Sequence, residues 1–336
     1  MKEVYSGIFL IKEVGRFKTI KPQVNIYIIP GSEGIIFDAG YGDRKTIKNV
    51  KREVNKISSI YKERGQNIDI SRIYISHCHP DHFSGLKKLR KHLNLRVILT
   101  KDQDQLIKNK KIYHEAFDGD SYKDYLIIKK GIRGRIRSIF ERLLSHVIYR
   151  LVYRMTFIDH VDEIIDNNTK ITINGEKWSI FASPGHSSDH ISLYNEQRGI
   201  LISGDNVLSS ITTWLGPPNS DIDAYIKTIQ RIQNLPYINA ILPAHGNIIS
   251  NPHQRIKEIL EHRKERTVQT LEIITRNGSK GTTPGDIIKT LYPDANKVIR
   301  EFARGWVCLT IKSLEKQNII TRKEEKNRIY FYPVAN

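Results

Sequence analysis

Between His77 and His82 the chain reads His-Cys-His-Pro-Asp-His, three imidazoles and a carboxylate in six residues. A lone histidine usually caps, packs or hydrogen-bonds. Several imidazoles brought face to face want a metal ion or a charge partner. In extended backbone alternate residues share a face, so His77 and His79 can grip one ion. Asp81 and His82 follow the turn and can face a second. A metal needs more donors than these, and the chain offers them at three other places. His186 stands in "SPGHSSDH", Asp205 ends the apolar run "ILISGD", and His245 ends "ILPAHG". Each sits next to glycine where a strand is expected to stop, and ligands at strand ends converge where an α/β scaffold exposes its loops.

The elements that must position these residues are legible as runs. "NIYIIP" (25–30) and "GIIFDAG" (34–40) are β-branched and apolar, and the turn residues between them predict a hairpin. Residues 46–65 have helical periodicity and stop at Gly65. "RIYIS" (72–76) reads as a buried strand running into the histidine cluster, a helix follows it, and "RVILT" (96–100) is the next strand. The runs "KITING", "KWSIFAS", "HISLYN" and "GILISGD" form a second strand-rich block, followed by a helix over 221–235 and a strand at 240–246. Strands alternating with helices place the chain in the α/β class.

Residues 101–165 read as a helical insertion. Within it, Ile132, Ile136, Ile139, Leu143, Val147, Leu151 and Met155 fall near one helical stripe, which predicts an amphipathic helix over 131–157 with arginines off the stripe. Such a stripe packs on the core, covers a site as a lid, or meets a membrane surface; the first is the ordinary case. From about residue 263 the texture changes. A helix closing at Gly278, a second with Thr283 as N-cap and Pro284 at its first position, a third over 296–317 and two β runs give the order of a winged helix. The expected division is a catalytic part over 1–262 and a winged-helix-like part over 263–336.

The chain has 336 residues, 39% of them hydrophobic, and a formal net charge of +18. No apolar run approaches a membrane span, and the N-terminal stretch lacks the apolar centre of a signal peptide. Two cysteines, Cys78 and Cys308, make no disulfide framework, so a cytoplasmic protein is expected. The excess of Lys and Arg attracts phosphates or simply keeps the surface solvated. Residues 155–262 are the exception, with 12 acidic against 7 basic residues.

The ordered motifs "FDAG" (37–40), "HCHPDH" (77–82), "PGHSSDH" with His186, "SGD" with Asp205 and "PAHG" with His245 resemble the metallo-β-lactamase superfamily. The resemblance implies an αββα sandwich, with His77, His79 and His186 on one metal. Asp81, His82 and His245 would hold the other, and Asp205 would bridge. Asp38 matches a position that supports the site from behind, as a carboxylate that fixes a ligand's ring orientation does. A core of this kind followed by a winged-helix-like tail resembles the β-lactamase-like protein 2 family, which includes an endoribonuclease; the long 101–165 segment departs from its compact members. The implied cofactors are two divalent ions, zinc first, with iron or manganese as alternatives. Two such ions about 3.5–4 Å apart share a water and lower its pKa to about 7. The resulting hydroxide attacks an electrophilic carbonyl or phosphorus, with Asp81 and Asp205 as the carboxylates at the reaction centre.

Three functions follow. The first is hydrolysis of an ester, thioester or lactone of a small molecule. The second is cleavage of single-stranded RNA, supported by the family resemblance and the basic surface. Only 39 residues separate Asp205 from His245, too few for the extra nuclease domain that β-CASP enzymes insert there. The third, a non-enzymatic nucleic-acid-binding regulator, would not need all seven donors. Cys78 is expected to point into the core. His190 and Tyr194 are expected to be packed strand residues, with a hydrogen bond to substrate as the sharper alternative.

Overall fold

A computed structural model describes residues 1–13, 21–117, 147–216, 218–325 and 327–334. In chain order the first sheet layer uses β1 (Lys2–Tyr5), β2 (Ile8–Glu13), β3 (Val24–Ile29), β4 (Gly34–Phe37), helix α1 (Arg44–Glu63) and β5 (Ile70–Tyr74). After β5 come the short helix α2 (Pro80–Phe83), α3 (Leu86–Leu93), β6 (Arg96–Thr100), α4 (Lys101–Ile107), α5 (Lys110–Phe117) and β7 (Glu163–Ile165). The second layer follows with β8 (Asn168–Ile173), β9 (Glu176–Ala182), β10 (Ile191–Asn195), β11 (Ile200–Gly204), α6 (Ile222–Gln233) and β12 (Ala240–Pro243). The C-terminal part is α7 (Pro252–Asn277), α8 (Pro284–Leu291), α9 (Lys297–Lys316) and the hairpin β13 (Ile320–Glu325) and β14 (Arg328–Pro333).

The first sheet has the order β1-β2-β3-β4-β5-β6-β7 and the second the order β12-β11-β10-β9-β8. The predicted hairpin is β3–β4, antiparallel with Tyr27 opposite Phe37. From β4 onward the first sheet is parallel, and β11 pairs parallel with β12 in the second.

Why the strands read as continuous apolar runs is clear from where alternate side chains go. Ile8 and Leu10 of β2, Tyr27 and Ile29 of β3, and Ile35 and Phe37 of β4 point into a core between the sheets. There they meet Trp178, Ile180, Leu193, Ile202 and Leu242 of the second sheet. Their neighbours Phe9, Ile11, Ile26, Ile28 and Ile36 point the other way, against Ile47, Val50, Val54 and Ile57 of α1. Phe181, Tyr194, Leu201 and Ile241 do the same on the outer face of the second sheet, against α6 and the C-terminal helices. A sheet buried on both faces needs apolar residues at both phases of its two-residue period. The result is two packed sheets with helices outside, the α/β sandwich expected.

The C-terminal elements occur in the predicted order, with Thr283 capping α8 and Asp286 answering it in a capping box. The helix expected to begin near 263 instead starts at Pro252, whose fixed φ suits the first helical position. The 262/263 division therefore falls inside one 26-residue helix. Ile273, Ile287, Trp306, Val307 and Phe331 share a single core with Ile222, Tyr225 and Ile229 of α6.

Most of the helix expected over 131–157 lies outside the described residues. Its described end is a single π-helical turn, Ile148–Val152, and the helix stops there, not at 157. The chain leaves it through Arg154 at φ 51°, a left-handed conformation in which a non-glycine residue breaks a helix. Val147 and Leu151 of the stripe are exposed, while Met155 packs on the core of the first sheet layer. Among the described residues no helix is long and apolar enough to cross a membrane.

Candidate metal centre

The donors gather at one edge, where β4, β5, β9, β11 and β12 all end. β5 runs out into Ser76 and His77. His79 is the N-cap of α2, Pro80 occupies that helix's first position, and Asp81 and His82 follow in its first turn. His186 sits on the loop after β9, Asp205 directly follows Gly204 of β11, and His245 lies two residues beyond β12.

Two groups result. Donor atoms of His77, His79, His186 and Asp205 lie within 4.8 Å of one another, and so do those of Asp81, His82 and His245. His186 Nε2 is 2.9 Å from His79 Nδ1 and 3.2 Å from His77 Nε2. Three ring nitrogens aimed at one point cannot all be satisfied by hydrogen bonds to each other, because a neutral imidazole has only one N–H. Asp205 spans both groups: one oxygen is 3.3 Å from His186 Nε2, and the other is 3.3 Å from His245 Nε2 and 3.7 Å from His82 Nε2. His245 Nε2 also stands 3.3 Å from Asp81. His82 Nε2 is fully buried and makes no hydrogen bond among the described residues. An orphaned buried nitrogen facing two carboxylates, with a trio of converging imidazoles beside it, fits divalent metal ions. All seven residues named from the sequence are thus brought together.

Four of the five rings are oriented by what the other nitrogen meets. Asp38, at the end of β4, takes a hydrogen bond from the Ser76 amide (2.7 Å) and lies 3.0 Å from His82 Nδ1. The Ser76 hydroxyl is 3.0 Å from His77 Nδ1. His186 Nδ1 faces the Trp214 carbonyl at 2.8 Å and the Thr213 hydroxyl at 3.1 Å. His245 Nδ1 faces the Gln23 carbonyl.

The electrostatics divide the two groups. Burial, reinforced by the surrounding imidazoles, holds His77 well below the ordinary histidine value; burial and His186 hold His79 down to about 3. These rings are neutral and keep lone pairs available. At the other group burial opposes the charged form but is outweighed. Asp81, Asp38 and Asp205 raise His82 to about 9, and Asp205 and Asp81 raise His245 well above its usual range. The carboxyls of Asp81 and Asp205 are held below the usual range, burial notwithstanding, chiefly by His82 and His245.

Cys78 is fully buried among the apolar side chains of the first layer, as expected. His190 is also buried; its Nε2 accepts the Asp205 amide (3.1 Å), and Nδ1 faces the Ser183 hydroxyl (2.8 Å). Tyr194 donates to the Tyr237 carbonyl on the outer side of the second sheet, away from the site. The sequence reading passed over Ser76, Gln23 and the Thr213–Trp214 pair. It also passed over Asp189, which accepts the Cys78 amide at 2.8 Å, and Gln103, whose amide reaches the Ile75 and Asp189 carbonyls. Asp189 lay inside a motif already singled out; the local signal for Gln103 is the Thr100–Gln103 capping box, which marks a helix start and not the site. Phe117 and Trp214 flank His79, their ring centroids 5.5 and 6.4 Å from it, and give the site an aromatic rim.

Hydrolysis assisted by metal is the chemistry such a donor set serves, and the protein's class follows: a metal-dependent hydrolase. Residues 20–245 match the family described as "Metallo-beta-lactamase superfamily", and the chain belongs to it. It is similar to the beta-lactamase-like protein 2 homolog of Caenorhabditis elegans, 23% identical over 88% of this chain and 80% of that protein. An atrochrysone carboxyl ACP thioesterase of Emericella nidulans is 21% identical over 83% of this chain and 69% of its own length. The crystal structure of a beta-lactamase domain protein from Burkholderia ambifaria shares the fold, with a TM-score of 0.72 at 17% identity, covering 99% of this chain and 93% of that one.

Proposed function

We propose that the protein hydrolyses an ester or thioester carbonyl with two divalent metal ions, zinc in the first instance. The observation that carries the two-ion reading is Asp205, whose two oxygens reach separate donor groups. His77, His79 and His186 would hold one ion, Asp81, His82 and His245 would hold the other, and Asp205 would serve both. Bound divalent ions supply Lewis-acid polarisation of the substrate oxygen and activation of a water. The chain's own residues do the rest. Asp38 keeps the His82 ring turned so that Nε2 faces the site, the Trp214 carbonyl does the same for His186, and Asp81 orients the attacking water as a hydrogen-bond acceptor. The choice of a carbonyl substrate is supported by the named thioesterase relative and by the aromatic rim of Phe117 and Trp214. In this reading the chemistry lies within residues 1–262, and residues 263–336 continue α7 into a winged-helix-like part that shares its core with α6.

Protein purified without chelator is expected to hold close to two zinc-sized ions per chain by elemental analysis; absence of metal together with no uptake on titration would end this reading. The metal-loaded protein is expected to turn over acyl-thioesters or esters in a screen that also includes lactones and single-stranded RNA.

One observation favours RNA as a second reading. Helix α1 exposes Arg44, Lys45, Lys48, Lys51, Arg52, Lys56 and Lys62 with Glu63 as its only exposed acid, and Lys12 continues this face to Asn247 beside the His245 loop. The tail is less suited: Arg322 is paired with Glu315, Lys323 lies over the Tyr332 ring, and Lys326 is outside the described residues. For a carbonyl substrate, reversing Lys48, Lys51 and Lys56 together leaves kcat/KM within about twofold, since surface charges far from reacting atoms mainly steer charged partners. Binding of single-stranded RNA that weakens steeply with salt, by about −0.7 in log–log slope per phosphate contacted, and flattens in that triple variant would favour the nuclease instead.

A further inference from the structure

Gly305 lies in the interior of α9, the twenty-residue helix of the C-terminal part, on its buried stretch. Glycine there weakens a helix relative to alanine, so its presence calls for a steric reason. The reason is on the page. A Cβ at 305 would stand 2.2 Å from the Leu215 carbonyl oxygen and 3.0 Å from Gly216 Cα. The helix backbone thus presses directly on the turn Trp214-Leu215-Gly216. That turn is itself compact: Leu215 is buried in the core shared with Trp306 and Leu309, and the Trp214 ring folds over Gly216 so closely that a Cβ there would stand 2.2 Å from it. The Trp214 carbonyl in turn receives His186 Nδ1, and the Trp214 ring flanks His79.

The rest of the His186 loop leans on the same layer. The Ser220 hydroxyl donates to the His186 carbonyl (2.6 Å) and accepts the Gly216 amide (3.0 Å). The Asp221 amide donates to the Gly185 carbonyl (2.9 Å) at the start of α6, and Ser313 of α9 donates to Asp223 in the first turn of α6 (2.5 Å). His77 and His82 are instead braced by Ser76 and Asp38, and His245 by Gln23, all from the first sheet layer. Of these four rings, among the described residues, His186 is the one whose orienting partners come from a loop that the C-terminal helix supports.

We infer that α9, through the close approach of Gly305 to the Trp214–Gly216 turn, positions His186 and thereby sets the metal affinity of the His77, His79 and His186 group. This rests on the reading of His186 as a metal ligand. Gly305 is a positioning residue and touches no substrate. Coupling of this kind is reciprocal: if the helix favours metal binding, metal favours the helix in its docked place.

The test is a titration of metal-free full-length protein with Zn²⁺ against a chromophoric chelator. Gly305→Ala is expected to weaken the tighter-binding equivalents by about tenfold or more, the scale on which losing a ligand's orienting partner acts. Ile311→Val, in the same buried core six residues further along α9, is expected to bind as wild type does. Amide hydrogen exchange of the wild type gives a second readout that needs no variant: zinc loading is expected to slow exchange over residues 301–309 of α9 more than over α8. A folded Gly305→Ala protein with wild-type zinc affinity overturns the inference, and so does equal protection of α8 and α9. If Gly305→Ala fails to fold, the exchange result decides. A wild type that takes up no zinc overturns the metal reading and this inference together, whereas wild-type uptake with an unaffected Gly305→Ala variant overturns this inference only.

Discussion

Asp205→Ala is expected to leave a folded protein whose turnover on a confirmed substrate has fallen by about a thousandfold or more. The size follows from what the residue does. It reaches both donor groups, one oxygen to each, so on the proposed two-ion reading its loss would remove a ligand shared by both ions. Metal-assisted charge stabilisation contributes several kcal/mol to a hydrolytic barrier, and each 1.36 kcal/mol is a factor of ten in rate. The fold survives because the features that hold the Asp205 backbone do not use its side chain: its amide donates to His190, and Gly204 before it pairs with Pro243 of β12. The variant is also expected to hold less than the wild-type metal content. Steady-state kinetics, elemental analysis and a urea midpoint check the three statements, and a near-wild-type rate would remove the bridging role.

Asp38→Ala has the largest expected effect on stability. The carboxylate is buried and accepts the Ser76 amide at 2.7 Å and the Ser76 hydroxyl at 3.1 Å, with His82 Nδ1 at 3.0 Å. Alanine leaves these groups buried without that acceptor, at about 1–3 kcal/mol for each one left unpaired. It must also adopt φ 71°, where aspartate is tolerated better than alanine. A loss of about 3 kcal/mol or more is expected in the metal-free protein, read as a lower urea midpoint at unchanged m value. Asp38→Asn, which keeps one acceptor oxygen and suits a positive φ, should recover part of it. An Asp38→Ala protein as stable as wild type would show that this network does not hold the site floor.

The legible part of the site was the part written in residue type. Histidines and aspartates beside glycine at the ends of apolar runs are unusual enough to be found one by one, and the seven side chains so named lie close together in two groups. The α/β class was legible in the alternation of strands and helices, while the sandwich came from the family resemblance; the succession Ile26, Tyr27, Ile28 and Ile29 fits a strand covered on both faces. The supporting groups were not legible, because they act through backbone or through common side chains. Trp214 and Gln23 contribute carbonyls, which every residue has. Gln103 reads from the sequence only as the N3 residue of the Thr100 capping box, yet its amide also reaches the Ile75 and Asp189 carbonyls. The same limit explains the helix ends: the stripe of apolar residues running to Met155 did not record that Arg154 turns the chain, nor that α7 begins eleven residues before position 263.

One feature of the floor beneath the donors bears on how the protein is made ready for work. The two ligand-bearing halves are sewn to each other by bonds that involve no ligand side chain. Asn25 donates its amide to the Ala244 carbonyl and its side chain to the Pro243 carbonyl, and Tyr27 donates to Pro243 as well. The Ile191 amide donates to the Ser76 carbonyl, and the Cys78 amide to Asp189. With so many seams already closed, the fold is not expected to depend on bound ions. Small zinc domains are unfolded until metal arrives because nothing else joins their pieces; on the metal reading proposed above, this chain is expected to fold first and be loaded afterwards. Chelator-treated protein is then expected to keep a cooperative urea transition and to take metal up again without passing through the unfolded state.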